Sequence, residues 1–272
     1  MLIYVFLAAS AVLTICHLVF SGSALWLGLI VFVLSYLALQ LLFVLIIAVL
    51  ALFLKGGRKL EKQNKLSRFL CWGVGDLLSG YTGVRAHITG LEKLPLDSRF
   101  VFVCNHRSGF DPLVVLAKFW KYNISFICKP SIFEIPFVGP VASGAGFLSI
   151  DRENDRNALK SILQSVDYLK RDICSIGIYP EGTRSKSGEL LPFHAGSFKI
   201  AQKAHVPLVV ACVNGTENIT KNMFRRRTDV YLDILEVLPS DAANSMNTAE
   251  LAEHSRALIA QHLGAECEEV GA

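Results

Sequence analysis

Phe100-Val-Phe-Val-Cys-Asn-His-Arg-Ser-Gly-Phe-Asp111 is an apolar run that stops abruptly at a polar cluster. Its opening residues have the length and the β-branched and aromatic composition of a buried strand. Ser108-Gly109 then breaks the chain, and an apolar-periodic segment starts at Pro112. His106 therefore stands at the exit of a strand, with Asp111 near the start of the next helix. On one continuous helix, residues five apart point to different faces, so a His–Asp contact needs the turn that Ser108 and Gly109 permit. A carboxylate orienting an imidazole is the second half of a nucleophile-activating triad. What the histidine would deprotonate has to come from elsewhere.

The same grammar extends outward. Short apolar runs at 84–89, 99–104, 124–128, 147–150, 174–179, 207–213 and 229–237 read as strands. Helical patterns fall at 112–121, 155–170, 196–204 and 248–263. This alternation predicts an α/β fold, with a mixed, largely parallel sheet flanked by helices.

The chain has 272 residues, 52% of them hydrophobic, and the apolar excess is concentrated at one end. Residues 1–54 hold no Asp, Glu, Lys or Arg, so all 27 basic and 23 acidic residues lie beyond them. Two apolar segments, interrupted at Ser21-Gly22-Ser23, are each long enough for a bilayer core of about 30 Å. No Lys or Arg precedes the first, which argues against a signal peptide. The expectation is a membrane-inserted helical hairpin at 1–54. Lys55, Arg58, Lys59, Lys62, Lys65 and Arg68 follow, against Glu61 alone, which puts this segment on the cytoplasmic side. Leu66, Phe69, Leu70, Val74, Leu77 and Leu78 recur at helical spacing, so 55–83 reads as a basic amphipathic interfacial segment with Trp72 at headgroup level, or equally as a helix packed on the domain, and both can hold together. The α/β domain then occupies 84–264, followed by a tail at 265–272. The net charge of +4, without basic stripes interleaved by aromatics, argues against a nucleic-acid partner. Seven scattered cysteines without a Cys-x-x-Cys pair suit a reducing compartment and give no metal site.

Four clusters fall at strand ends. The first is Asn105 to Asp111. The second, Lys129-Pro-Ser-Ile-Phe-Glu-Ile-Pro-Phe-Val-Gly139, reads as a loop with a helical turn, with Lys129 available to an anion. The third, Gly146-Phe-Leu-Ser-Ile-Asp-Arg152, ends in a guanidinium suited to gripping a phosphate. The fourth, Tyr179-Pro-Glu-Gly-Thr-Arg-Ser185, offers a glycine turn, exposed backbone N–H groups and Arg184 as an anion nest. As isolated turns or surface pairs each would be unremarkable. Cys104, two residues before His106, is read as a core thiol on the opposite side of the strand.

Together these motifs, followed by Val206-Pro207-Leu208, resemble the glycerolipid acyltransferase family, and within it the bacterial lysophosphatidic-acid-acylating branch. The resemblance covers roughly 84–238. It implies a membrane-bound enzyme moving an acyl group from a thioester to the sn-2 hydroxyl of 1-acyl-glycerol-3-phosphate, giving phosphatidic acid. His106 would be the general base and Asp111 its orienting partner. Glu181, Gly182, Thr183 and Arg184, with Arg152 and Lys129, would bind the acceptor's glycerol phosphate, and Val206-Pro207-Leu208 would shape the acyl channel. Its implied partners are the bilayer, lysophosphatidic acid and a thioester of coenzyme A or acyl-carrier protein, with no cofactor or metal. The bacterial inner membrane, with the domain on its cytoplasmic face, is the implied location. One departure is Ser149, where the family's third motif usually has an aromatic. Acceptors such as glycerol 3-phosphate or another lysophospholipid remain open, as do a lipid hydrolase and a non-catalytic lipid-binding protein.

Overall fold

Strands β1 (Val84–Thr89), β2 (Val101–Cys104), β3 (Ile124–Cys128), β4 (Leu148–Ser149), β5 (Ser175–Ile178), β6 (Leu208–Asn214) and β7 (Thr228–Leu238) form one sheet, in the order β1-β7-β6-β2-β5-β3-β4. The computed structural model describes residues 1–53, 60–151, 155–185, 188–223 and 226–271. Only β6 and β7 pair antiparallel among these neighbours, so β6, β2, β5, β3 and β4 share one direction. The central strands β2 and β5 are buried along their whole length, as continuous apolar runs in a parallel sheet should be. The edge strand β1 alternates, with Val84, Ala86 and Ile88 turned inward. Each run read as a strand is one, within a residue or two at its ends.

The described helices are α1 (Leu2–Ser21), α2 (Leu25–Phe53), α3 (Lys65–Tyr81), α4 (Asp111–Lys118), α5 (Pro130–Glu134), α6 (Val138–Gly144), α7 (Asp155–Lys170), α8 (Lys199–Ala204), α9 (Ile219–Asn222), α10 (Ser240–Ser245) and α11 (Thr248–Gly271). They cover both faces of the sheet. One core half holds Tyr168 of α7, Ile200 of α8 and Leu251 and Ile259 of α11 against Ile176 and Leu208. The other sets Val114 and Val115 of α4 against Phe100, Phe102, Phe126 and Val209. Helix α5 is the helical turn expected in 129–139, whereas α6 and α10 escape a sequence reading because each is under two turns and carries too little period. Between α5 and α6, Gly139 lies so close to the Phe133 carbonyl that a Cβ would sit 2.1 Å from its oxygen. Helix α11 runs past the 248–263 expected for it.

Helices α1 and α2, 20 and 29 residues long, measure about 30 and 44 Å at 1.5 Å per residue. With mean hydropathies of 2.3 and 2.8 they are long and apolar enough to cross a bilayer. Gly22, at φ 61°, ends α1 by returning its N–H to Leu18 O. Asn64 caps α3, its side chain accepting from the N–H groups of Leu66 and Ser67. Leu66, Phe69 and Leu78 of α3 stay exposed. Trp72 follows the packed reading and not the headgroup one: it is buried, its indole N–H donating to Ala117 O at 3.3 Å. It packs on Trp120, which is half-exposed and carries the Arg68 guanidinium 4.1 Å above its ring. Of the basic collar, Lys55, Arg58 and Lys59 lie outside the described residues.

Helix α3 joins the hairpin to the sheet by a close crossing over α4. A Cβ on Gly75 would lie 2.6 Å from the Leu113 carbonyl oxygen, a backbone atom that cannot swing aside. Gly75→Ala should therefore lower unfolding free energy by about 1–3 kcal/mol in denaturant titrations of detergent-solubilised protein. Gly264→Ala on α11, where a Cβ meets nothing within 4 Å, should hold or raise stability.

Candidate active site

Strands β6, β2, β5, β3 and β4 end at the same sheet edge, so the clusters that follow them converge there. Crevices beyond the carboxyl ends of parallel strands are where open α/β sheets bind ligands. The convergence starts with Asn105, 1% exposed. Its side chain donates to Val213 O at 2.9 Å and accepts from Val213 N at 2.8 Å, extending the β2–β6 pairing past the end of β2. His106 leaves the sheet from a fixed point.

The chain then wraps around the Asp111 carboxylate, which is 1% exposed. Oδ2 meets His106 Nδ1 at 2.7 Å and accepts the N–H groups of Arg107 and Ser108, each at 2.8 Å. Oδ1 accepts the Thr216 hydroxyl. A carboxylate this deep stays charged only if its lone pairs are met, and four donors meet them. With Nδ1–H donating to Asp111, the neutral imidazole keeps its lone pair on Nε2, for which the described residues offer no hydrogen-bond partner. The ring stacks on Tyr179 (centroids 4.3 Å apart), which stacks in turn on Phe126 (5.5 Å).

Glu181, 4% exposed, follows β5. Its Oε1 accepts the His106 N–H at 2.5 Å and its Oε2 the Leu191 N–H at 3.1 Å. Both oxygens are engaged by backbone, so Glu181 is a strut under the histidine. Burial pushes its carboxyl above the usual range, with the two N–H bonds pulling the other way. Gly182, at φ 77°, turns the chain back and donates to Tyr179 O at 3.1 Å. Ser185 N–H then bonds His106 O at 3.0 Å, so the loops after β2 and β5 brace each other in both directions.

Two cavities open at this edge. One of about 720 Å³ is lined by Arg107, Lys129, Thr183, Arg184, Glu217 and Lys221, among others. The other, about 620 Å³, shares Lys129 and Thr183 with it and adds Ile150, Glu181, Gly182 and His194. An apolar recess of about 330 Å³, with Ile162 and Ile178 in its wall, adjoins the second cavity at Ile150, Gly182 and His194. Arg184 reaches the histidine loop: its Nη1 would come within 3.8 Å of a Cβ on Gly109. Among the described residues nothing hydrogen-bonds the side chains of Lys129, Arg184 or Lys221. Arg107, by contrast, is held by Asn214 Oδ1 (2.7 Å), Glu217 Oε1 (2.8 Å) and Gly188 O (3.0 Å).

Of the residues singled out in sequence, His106, Asp111, Lys129, Glu181, Gly182, Thr183 and Arg184 gather at this edge. Arg152 lies outside the described residues, although Asp151 before it lines the 620 Å³ cavity. Val206-Pro207 opens β6 at the opposite end of the sheet, where Pro207 O accepts from Val101 N–H at 3.0 Å. That is roughly 20 Å of strand from the histidine edge, and there the segment starts β6. Cys104 is a core thiol for a different reason than alternation, since residues two apart on a strand share a face. It is buried beside Phe102 and Val213, and burial lifts its thiol well above the usual range. Thr216, Tyr179 and Arg107 went unassigned in sequence. Thr216 lies 105 positions from the carboxylate it bonds, and no local pattern carries that signal. Among the described residues no cluster of three or more His, Cys, Asp or Glu could hold a metal ion.

Residues 85–214 match the family described as Acyltransferase. The 1-acyl-sn-glycerol-3-phosphate acyltransferase of Salmonella typhimurium is 34% identical over 60% of this chain and 66% of its own length. Its Escherichia coli counterpart is 32% identical over the same shares, and a chloroplastic one from Brassica napus is 37% identical over 52% of this chain and 41% of its own. The aligned stretch thus spans less than two thirds of these relatives. The crystal structure of the 1-acyl-sn-glycerophosphate acyltransferase PlsC from Thermotoga maritima superposes with a TM-score of 0.61, covering 87% of this chain and 96% of that one at 23% identity, which bears on the fold. The sheet, the strand-end motifs and these relatives agree, and together they support a glycerolipid acyltransferase similar to those that acylate lysophosphatidic acid.

Proposed function

We propose that the protein is a membrane-bound 1-acylglycerol-3-phosphate acyltransferase, moving a fatty acyl group from a thioester to the sn-2 hydroxyl of lysophosphatidic acid. One observation carries this reading: an imidazole locked at Nδ1 by a buried carboxylate and, among the described residues, unbonded at Nε2, beside cavities lined by cations that no described residue pairs. Names of the curated relatives support the acceptor.

In this reading His106 Nε2 takes the proton of the sn-2 hydroxyl as its oxygen attacks the thioester carbonyl carbon. The tetrahedral oxyanion collapses with cleavage of the C–S bond, and Nε2 returns the proton to the departing thiolate. Asp111 stabilises the imidazolium in between and stays ionised. The substrate's hydroxyl is the nucleophile, so no serine or cysteine ester forms on the chain. The N–H of the exposed Gly109, with no acceptor among the described residues, is a donor available to the oxyanion. Thr183, Arg184 and Lys129, with Arg152, hold the acceptor's phosphate, Gly182 lets the backbone approach it, and Glu181 keeps the His106 backbone in place. Helices α1 and α2 insert in the bilayer where acceptor and product reside. The domain then faces the cytoplasm, and in a bacterium the membrane is the inner one.

His106→Ala should reduce transfer to lysophosphatidic acid by at least about a hundredfold while the protein still folds and sediments with membranes. Retained transfer would sink the base assignment. Arg184→Ala should raise the acceptor KM about tenfold and leave the thioester KM in place, the cost of one charge-assisted phosphate contact. Thr216→Val leaves a buried carboxylate oxygen unmet; it should cost about 1–3 kcal/mol of stability and lower kcat several-fold with KM values unchanged. A lipid hydrolase would instead release free fatty acid from the thioester at the same rate with or without acceptor.

A further inference from the structure

Three neighbouring strands each send one ring into a single column. Phe126 comes from β3, Tyr179 from the position after β5 and His106 from the loop after β2, and the three strands lie in the order β2-β5-β3. The planes of Phe126 and Tyr179 are 6° apart, with centroids at 5.5 Å. Those of Tyr179 and His106 are 17° apart, with centroids at 4.3 Å. The column is seated on the sheet itself. Phe126 pairs with Gly177 across β3 and β5, and a Cβ at 177 would overlap the Phe126 ring. Glycine there lets the phenyl lie over β5. Phe102 meets that phenyl edge-on (centroids 6.5 Å apart) and Phe147 tilts against it (6.3 Å). The base of the column cannot slide, so Tyr179 is held face-on to the imidazole.

The tyrosine hydroxyl takes no part in this. It is buried, and no described residue hydrogen-bonds it. A buried hydroxyl left unmet costs stability. Burial also pushes it well above the usual phenol range, so it stays neutral. What the position uses is the face of the ring.

Asp111 meets the imidazole in the imidazole's own plane, at Nδ1. One in-plane bond leaves the ring free to rock about a line through Nδ1, and Nε2 would swing with it. Stacking removes that motion. It also presents the negative face of an aromatic ring from a direction that the carboxylate does not cover. A cation within about 6 Å of such a face is attracted to it. When His106 takes a proton, the new charge forms against Tyr179.

We propose that Tyr179 is a positioning residue for the base: its face, seated on Phe126 over Gly177, fixes the direction of Nε2 and stabilises the imidazolium that forms during transfer. This deepens the acyl-transfer reading above, on which it rests. Substitution at 179 leaves the charged groups around the imidazole in place. They are Asp111 at Nδ1, Glu181 at the backbone N–H, the Arg107–Glu217 pair and Arg184 in the loops beside it, and Lys129 at the cavity.

The test uses full-length protein in detergent–lipid micelles, with lysophosphatidic acid and whichever donor, acyl-coenzyme A or acyl-carrier protein, the wild type accepts. Tyr179→Leu should lower kcat about tenfold through misdirection of the base and leave both KM values in place. Without the aromatic face the imidazole stays neutral to lower pH, and the base works in its neutral form. The acid limb of kcat/KM for the thioester, at saturating acceptor, should therefore move to lower pH by about half a unit. Tyr179→Met, whose unbranched side chain adapts to irregular gaps, is a second non-aromatic variant in case the leucine does not fold. Tyr179→Phe keeps the face and drops the unmet hydroxyl. It should rescue kcat to within about twofold, return the acid limb to its wild-type position and raise the thermal unfolding midpoint. A fall in kcat with the acid limb unmoved would reduce Tyr179 to packing and overturn the proposal. So would a phenylalanine variant as slow as the leucine one, or a non-aromatic variant with full kcat. Wild-type protein that transfers from neither donor would instead overturn the functional reading itself.

Discussion

A single buried carboxylate organises this site. Asp111 collects the imidazole Nδ1, two consecutive backbone N–H groups and a threonine hydroxyl. Each bond compensates for removing its charge from water, and together they force the chain from His106 to Ser108 into one path around it. The strand before this path is pinned by Asn105 to β6, and the histidine's own N–H and C=O are tied to the loop after β5. The imidazole is fixed from three strands at once, while Nε2 stays unbonded among the described residues. Preorganisation of this kind lets a base act without reorganising its surroundings as charge develops.

Much of this was legible in sequence because its causes are local. Parallel strands buried on both faces leave continuous apolar runs, so β2, β5 and β6 declare themselves. The motifs at their ends stand out because polar clusters rarely follow such runs without a reason. The pair α1 and α2 was legible for the same kind of reason, since two uncharged apolar runs parted by Ser21-Gly22-Ser23 predict two helices.

What the sequence concealed depends on contacts between distant segments. Thr216 completes the Asp111 shell from the far end of β6, and Tyr179 supplies the face on which the imidazole rests. Glu181 sits in the Pro180-Glu-Gly-Thr-Arg184 motif expected to bind the acceptor, yet both its oxygens support backbone. A motif reports which residues gather at a place, while the direction of each side chain follows from packing. Trp72 makes the same point: amphipathic spacing suggested a headgroup anchor, but the indole fills the gap between α3 and α4.

The proposed chemistry turns on the absence of a chain nucleophile, so that the acceptor's hydroxyl completes the arrangement begun by His106 and Asp111. The most direct measurement pairs a radiolabelled acyl thioester with lysophosphatidic acid and with its 2-deoxy analogue, following phosphatidic acid, released thiol and label on the protein. Direct transfer predicts phosphatidic acid and stoichiometric thiol with the natural acceptor. With the analogue it predicts neither thiol release nor labelled protein. Label retained on the protein, or thiol released at an undiminished rate with the 2-deoxy analogue, would contradict it.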